Sequence, residues 1–232
     1  MIEVISATRL GRDQFEASPL GLSLKRIAAD KRLKPKIAFA NTRGLGTVYN
    51  AALAAAQDDF VLFVHDDVWL EDFYLTDRLL EGLKQFDIVG LAGNTRVAPG
   101  HESWAHVPGT QRLDLPHLRG AIAHGDAPLG KVGFFGPIIG EVELLDGVFI
   151  AARRKRLIET GVRFDERFAF HFYDLDFCRT ARAKGLHLGT WPISVTHRST
   201  GNPDSDAWKA GLTEYQAKWD GVKEKGRQKA AS

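Results

Sequence analysis

The chain has 232 residues, 44% of them hydrophobic, and a net charge of +2 from 31 Lys and Arg against 29 Asp and Glu. That length suffices for one sizeable core, and so even a charge balance gives no ground for bulk binding to nucleic acid. The single cysteine, Cys178, excludes an intrachain disulfide and fits a reducing compartment, while no apolar run reaches the length of a membrane span.

The first apolar run, Ile2–Ser6, reads as a buried strand ending at Ala7-Thr8-Arg9. Leu20, Leu24 and Ile27 then recur at helical spacing, and Pro35 should stop that helix before a second strand over Lys36–Ala40, which runs into Asn41. Gly44 and Gly46 supply a turn ahead of a helix whose stripe is Leu45, Tyr49, Ala52, Leu53 and Ala56, with Asn50 beside it. The glycines match neither GxGxxG nor a GKS/T phosphate loop, so no dinucleotide-binding or NTPase assignment follows.

Phe60–Trp69, FVLFVHDDVW, begins as a strand covered on both faces and then breaks into His65, Asp66 and Asp67. Ligands sit at that end of a strand in open α/β sheets, and adjacent carboxylates repel unless a proton or a cation intervenes. The competing reading is that Asp66 and Asp67 cap a helix over Leu70–Gln85. Asp87–Ala92 is a fourth strand, and strand alternating with helix predicts a parallel sheet with crossover helices.

Asn94–Gly140 breaks the rhythm. It is rich in Gly, Pro and His (His101, His106, His117, His124), without zinc-site spacing, and Trp104 has no periodic partner. We take it as an irregular lid or acceptor-side wall. Val142 and Leu144–Leu145 lead to Asp146-Gly147, which reads first as a hairpin or bulge, and Val148–Ala152 resumes as a strand. Downstream, Phe164, Phe168, Phe170, Phe172 and Tyr173 surround His171, and Asp174 and Asp176 open a helix. Apolar surroundings would raise the pKa of such a carboxylate toward that of a general base, whereas exposure would leave it a helix cap. Ile193–Thr196 is a last strand leading to His197. Trp208, Leu212, Tyr215 and Trp219 then mark an amphipathic helix, and 222–232 reads as a basic, frayed tail.

Taken together, these stretches resemble the inverting family 2 glycosyltransferases with the GT-A fold. The matching segments, in order, are Asn41…Gly44…Asn50, then FVHDDV, then LLDGVFIAARR, and finally FDERF…YDLDFCRTARAKG…P…H ending at His197. The HDD and FHFYDLD variants look most like a small, soluble subgroup of the streptomycin-biosynthesis type. The resemblance implies a single α/β domain over 1–221 with a mainly parallel central sheet flanked by helices, its nucleotide-binding half at about 1–93 and its acceptor side at about 94–221.

It also implies roles. Asp67 and His197 would hold a divalent metal, Mn2+ or Mg2+; His65, which replaces the first Asp of DxD, leaves its own ligation open. Thr8, Arg9, Asn41, Asn50, Asp66, Asp146 and Gly147 would bind the donor, a UDP- or dTDP-sugar. Asp174 would be the catalytic base, and Trp104, His171 and Asp176 would face a saccharide or other hydroxyl acceptor. Tyr173 replaces the Glu of the family's ED pair. The expected setting is cytoplasmic, with peripheral contact at the inner membrane surface left open. A transferase-derived binding module and a nucleotidyltransferase are the alternatives.

Overall fold

In the computed structural model, which describes residues 1–199 and 205–221, the apolar runs become strands and the amphipathic stretches become helices. The elements are β1 (Ile2–Ala7), α1 (Arg12–Phe15), α2 (Pro19–Arg26), β2 (Leu33–Ala38), α3 (Leu45–Ala55), β3 (Phe60–Val64), β4 (Val68–Leu70), α4 (Leu75–Gln85), β5 (Ile88–Gly90) and β6 (Ala92–Asn94). They continue as β7 (Leu118–His124), β8 (Lys131–Phe134), β9 (Gly140–Val142), β10 (Leu144–Leu145), β11 (Phe149–Arg153), α5 (Arg154–Thr160), α6 (Tyr173–Ala183), β12 (Leu188–Thr190), β13 (Val195–His197) and α7 (Asp206–Trp219).

Seven strands form the central sheet in the order β2-β1-β3-β11-β5-β12-β9. β1 runs parallel to β2 and β3, and β5 runs parallel to β12, whereas β11 opposes both its neighbours and β9 opposes β12. Five strands therefore point one way, the expected mainly parallel α/β arrangement. A second sheet has the order β10-β6-β7-β13-β4, with β8 on β7. Helices cover both faces of the central sheet, which is why its inner strands β1, β3, β11 and β5 are buried without alternation. Phe63 and Ile150 pack with Tyr49, Phe164 and Phe177 on one side; Leu62 and Phe149 pack with Leu20, Leu79 and Trp191 on the other.

Several expectations need correcting. No helix starts at Leu70: Val68–Leu70 first pairs with β13, and α4 begins only at Leu75. Asp66 and Asp67 therefore do not cap it; the carboxylate at that helix start is Asp72, which accepts a hydrogen bond from Tyr74 N–H. Pro35 lies inside β2, not before it, and an edge strand tolerates the missing N–H. The strand expected over Asp87–Ala92 splits between the two sheets as β5 and β6. Asn94–Gly140 is not irregular throughout, since it contains β7 and β8. Asp146-Gly147 is not a hairpin either, because β10 and β11 belong to different sheets and do not pair. Asp146 closes a local turn instead, its Oδ1 accepting from Val148 N–H at 2.9 Å. The tail, 222–232, lies outside the described residues.

Candidate active site

Because β1, β2 and β3 run parallel, the segments that follow them gather at one edge of the sheet. Thr8 and Asn41 meet there, with Asn41 N–H donating to the Thr8 carbonyl at 2.8 Å, and exposed Arg9 lies between Thr8 and Leu10. The turn after β3 carries His65, Asp66 and Asp67 out of the core. β13, antiparallel to β4, brings His197 back beside this turn. His197 Nε2 stands 3.3 Å from Asp67 Oδ1, and His65 Nδ1 stands 4.0 Å from the same atom.

Donor atoms of His65, Asp67 and His197 all lie within 4.8 Å of one another, a grouping able to hold a metal ion. Asp67 Oδ1 is itself buried and, apart from His197 Nε2 at 3.3 Å, has no polar partner, an arrangement that a cation would complete. Burial pushes the Asp67 carboxyl up, but hydrogen bonding to His197 and its charge, then the charge of His65 and hydrogen bonding to Ser199, outweigh it and hold the group at about 2. Asp67 is thus an anion at neutral pH, and the residues present fit a divalent ion.

The second half of the site is built by the start of α6 against the Asp146-Gly147 turn. Phe172, just before the helix, adopts a left-handed backbone (φ 65°) that a bulky residue rarely accepts. It is held there by its ring against Trp208 and Tyr215, with centroids at 5.4 and 5.3 Å. This kink sets Tyr173 and Asp174 on Gly147. Tyr173 donates to the Gly147 carbonyl at 2.7 Å, and Gly147 N–H donates to Asp174 Oδ2 at 2.9 Å. A Cβ on Gly147 would come within 2.5 Å of the Tyr173 hydroxyl and 2.7 Å of Asp174 Cβ, so glycine here is dictated by space. Burial, and then the neighbouring charge of Asp146, push the Asp174 carboxyl up to about 7, against hydrogen bonds from Leu175 and Gly147 that favour the anion.

The two halves face one cleft of about 370 Å³, lined by His65, Trp104, Asp146, His171, Asp174 and His197 among others. Of the residues singled out from the sequence, the structure therefore gathers His65, Trp104, Asp146, Gly147, His171, Asp174 and His197 here, while Asp67 lies outside the lining, 3.3 Å from His197 Nε2. Thr8, Arg9, Asn41 and Asp66 lie outside that lining. Asn50 is occupied elsewhere: its amide donates to the Phe164 carbonyl and Glu166 and accepts from Phe164 N–H, tying α3 to the turn before α6. Asp176 is fully buried on the far side of α6, paired with Lys218 at 2.7 Å and Trp219 Nε1 at 2.8 Å, where it docks α7.

Residues without an assigned part in the sequence also meet in the cleft. His124, in parallel register with His197, places its ring 5.6 Å away, and burial lowers its pKa. Phe170 stacks on His65 at 5.9 Å. Tyr173 is hydrogen-bonded to His65. A larger groove of about 730 Å³ opens beside β2, walled by Phe15, Leu24, Ile37 and Phe39. It has the greater volume but none of these titrating groups, and the chemistry favours the cleft.

Fold and site thus define a mixed α/β protein whose cleft, beyond the strand ends, pairs a metal-capable cluster with a carboxyl group of raised pKa. No protein-family model and no curated protein matches the sequence. Among solved structures, S. aureus TarS is similar at 15% identity over 93% of this chain and 39% of that one, with a TM-score of 0.47. TarS 1-349 in complex with UDP is similar at 17% identity over 93% and 64%, TM-score 0.46. A197 from STIV is similar at 13% identity over 85% and 82%, TM-score 0.44. This chain spans less than two thirds of those TarS chains, and likeness at this level carries no argument about activity.

Proposed function

We propose that this chain is an inverting, metal-dependent glycosyltransferase of the GT-A, family 2 type, moving a sugar from a UDP- or dTDP-sugar to a hydroxyl acceptor. The observation that carries this reading is the meeting in one cleft of Asp174, poised near neutral pH, with the His65–Asp67–His197 cluster. It is supported by the sequence segments, which follow the family's order along the chain. The nucleoside would lie along the strand-end edge marked by Thr8, Arg9 and Asn41, and Asp66 would face its ribose. Asp67 and His197, with His65, would hold Mn2+ or Mg2+, which when bound supplies positive charge against the leaving diphosphate.

In the transfer, Asp174 accepts the proton of the acceptor hydroxyl through its ionised form as that oxygen bonds to the anomeric carbon. The bond from that carbon to the diphosphate oxygen breaks on the opposite face. Asp146 raises the proton affinity of Asp174, and Gly147 N–H orients its carboxylate. Trp104 and His171 offer an aromatic rim for a saccharide. Titration calorimetry of UDP and dTDP, with and without Mn2+, tests the reading. Binding should tighten with Mn2+ in the wild type and lose that dependence in Asp67→Ala. Equal affinity with and without the ion in both proteins would contradict it.

A further inference from the structure

His65 and Tyr173 are the two places where the chain departs from the motifs it otherwise resembles, and they touch. Although 108 residues apart in sequence, His65 Nε2 and the Tyr173 hydroxyl are 2.8 Å apart. The direction of that hydrogen bond is fixed by a third group. Tyr173 has one hydroxyl proton, which it donates to the Gly147 carbonyl, a group that can only accept. The proton shared with His65 must therefore come from Nε2–H. The imidazole is left with its lone pair on Nδ1, the atom 4.0 Å from Asp67 Oδ1. Phe170, stacked on the same ring with planes 26° apart, restrains its rotation.

We propose that Tyr173 is a positioning residue that locks His65 in the tautomer able to ligate through Nδ1. The cluster then offers two imidazoles and a carboxylate, a set suited to a first-row transition ion over Mg2+. This rests on the metal-dependent reading above and sharpens which ion serves it. Imidazole nitrogen suits the iron-to-zinc ions, with Mn2+ the weakest binder of the series, whereas Mg2+ keeps to oxygen donors and sheds water reluctantly. Groups that hold a ligating histidine by its far nitrogen cost about 10- to 100-fold in metal affinity when lost. His65 and Tyr173 are thus one paired replacement: the tyrosine supplies the oxygen that the histidine requires, and Gly147 leaves the space in which they meet.

Two measurements on the full chain test this. Nitrogen-15 NMR of the metal-free protein, with His65 assigned by its loss in His65→Ala, should show the Nε2–H tautomer in the wild type and a mixture in Tyr173→Phe. Co2+ titration followed by visible absorption should show binding that excess Mg2+ does not displace, weakened about 10- to 100-fold in Tyr173→Phe. An Nδ1–H tautomer of His65 in the wild type overturns the proposal alone. So does a Tyr173→Phe protein identical to wild type in tautomer and Co2+ affinity, or ready displacement of Co2+ by Mg2+. Failure of the wild type to bind Co2+ or Mn2+ overturns the metal-dependent reading together with this one.

Discussion

Carbon-13 NMR of labelled aspartates should find the Asp174 carboxyl titrating near 7, where an ordinary Asp titrates at 3.8. Burial is the main cause and Asp146 the next, so Asp146→Asn should move the midpoint down without returning it to the ordinary value. The sign of the linked stability change follows. Between pH 3.8 and 7 the folded chain holds a proton that the unfolded chain has released, so stability falls as pH rises through that window. The upper bound on this loss is about 4 kcal/mol, and water in the cleft reduces it. Urea unfolding at a series of pH values should show the slope in the wild type and a flatter one in Asp174→Asn. For activity, the anionic fraction, and with it the proposed transfer rate, should rise about tenfold between pH 6 and pH 8. Asp174→Asn should lose transfer altogether. A midpoint near 4 would refute this reasoning, as would full transfer by Asp174→Asn.

Other substitutions separate the structural groups from the chemical ones. Gly147→Ala should destabilise by about 1–3 kcal/mol in denaturant melts, because the added carbon meets Tyr173 and Asp174 within 2.7 Å; wild-type stability would contradict the packing described. Asn50→Ala leaves Phe164 N–H without its partner and should cost about 1–3 kcal/mol while leaving nucleotide affinity unchanged. Lys218→Met strands the buried Asp176 carboxylate and should cost about 3 kcal/mol, partly recovered in a double variant with Asp176→Asn. Additive losses in that double variant would show that the pair is not coupled.

Much of the central sheet was legible because its inner strands, β3 above all, are covered on both faces and read as apolar runs. The second sheet was not. Val68–Leu70 and Ala92–Asn94 are three-residue strands, too short for any period, and only pairing with distant strands defines them. In Asn94–Gly140 the abundance of Gly and His concealed β7, whose Gly120 sits against the Leu91 carbonyl where no side chain fits. The carboxylates of the site could be named from local sequence, since each follows an apolar run at an abrupt break. What those carboxylates do depended on partners far along the chain. Asp176 reads like Asp174, two residues away, yet helical geometry turns it toward Lys218 and out of the cleft. Asn50 looked available for a ligand because its partners lie 114 and 116 residues on. The pairing of His65 with Tyr173 has no local signature at all; its one trace in the sequence is that both depart from the resembled motifs.

The most direct test of the central claim is release of nucleoside diphosphate from a panel of UDP- and dTDP-sugars, with Mn2+, by wild type and Asp67→Ala. Release from at least one donor by the wild type, abolished by chelation and absent in Asp67→Ala, is the expected result. No release from any donor, or release that survives both chelation and loss of Asp67, would contradict it.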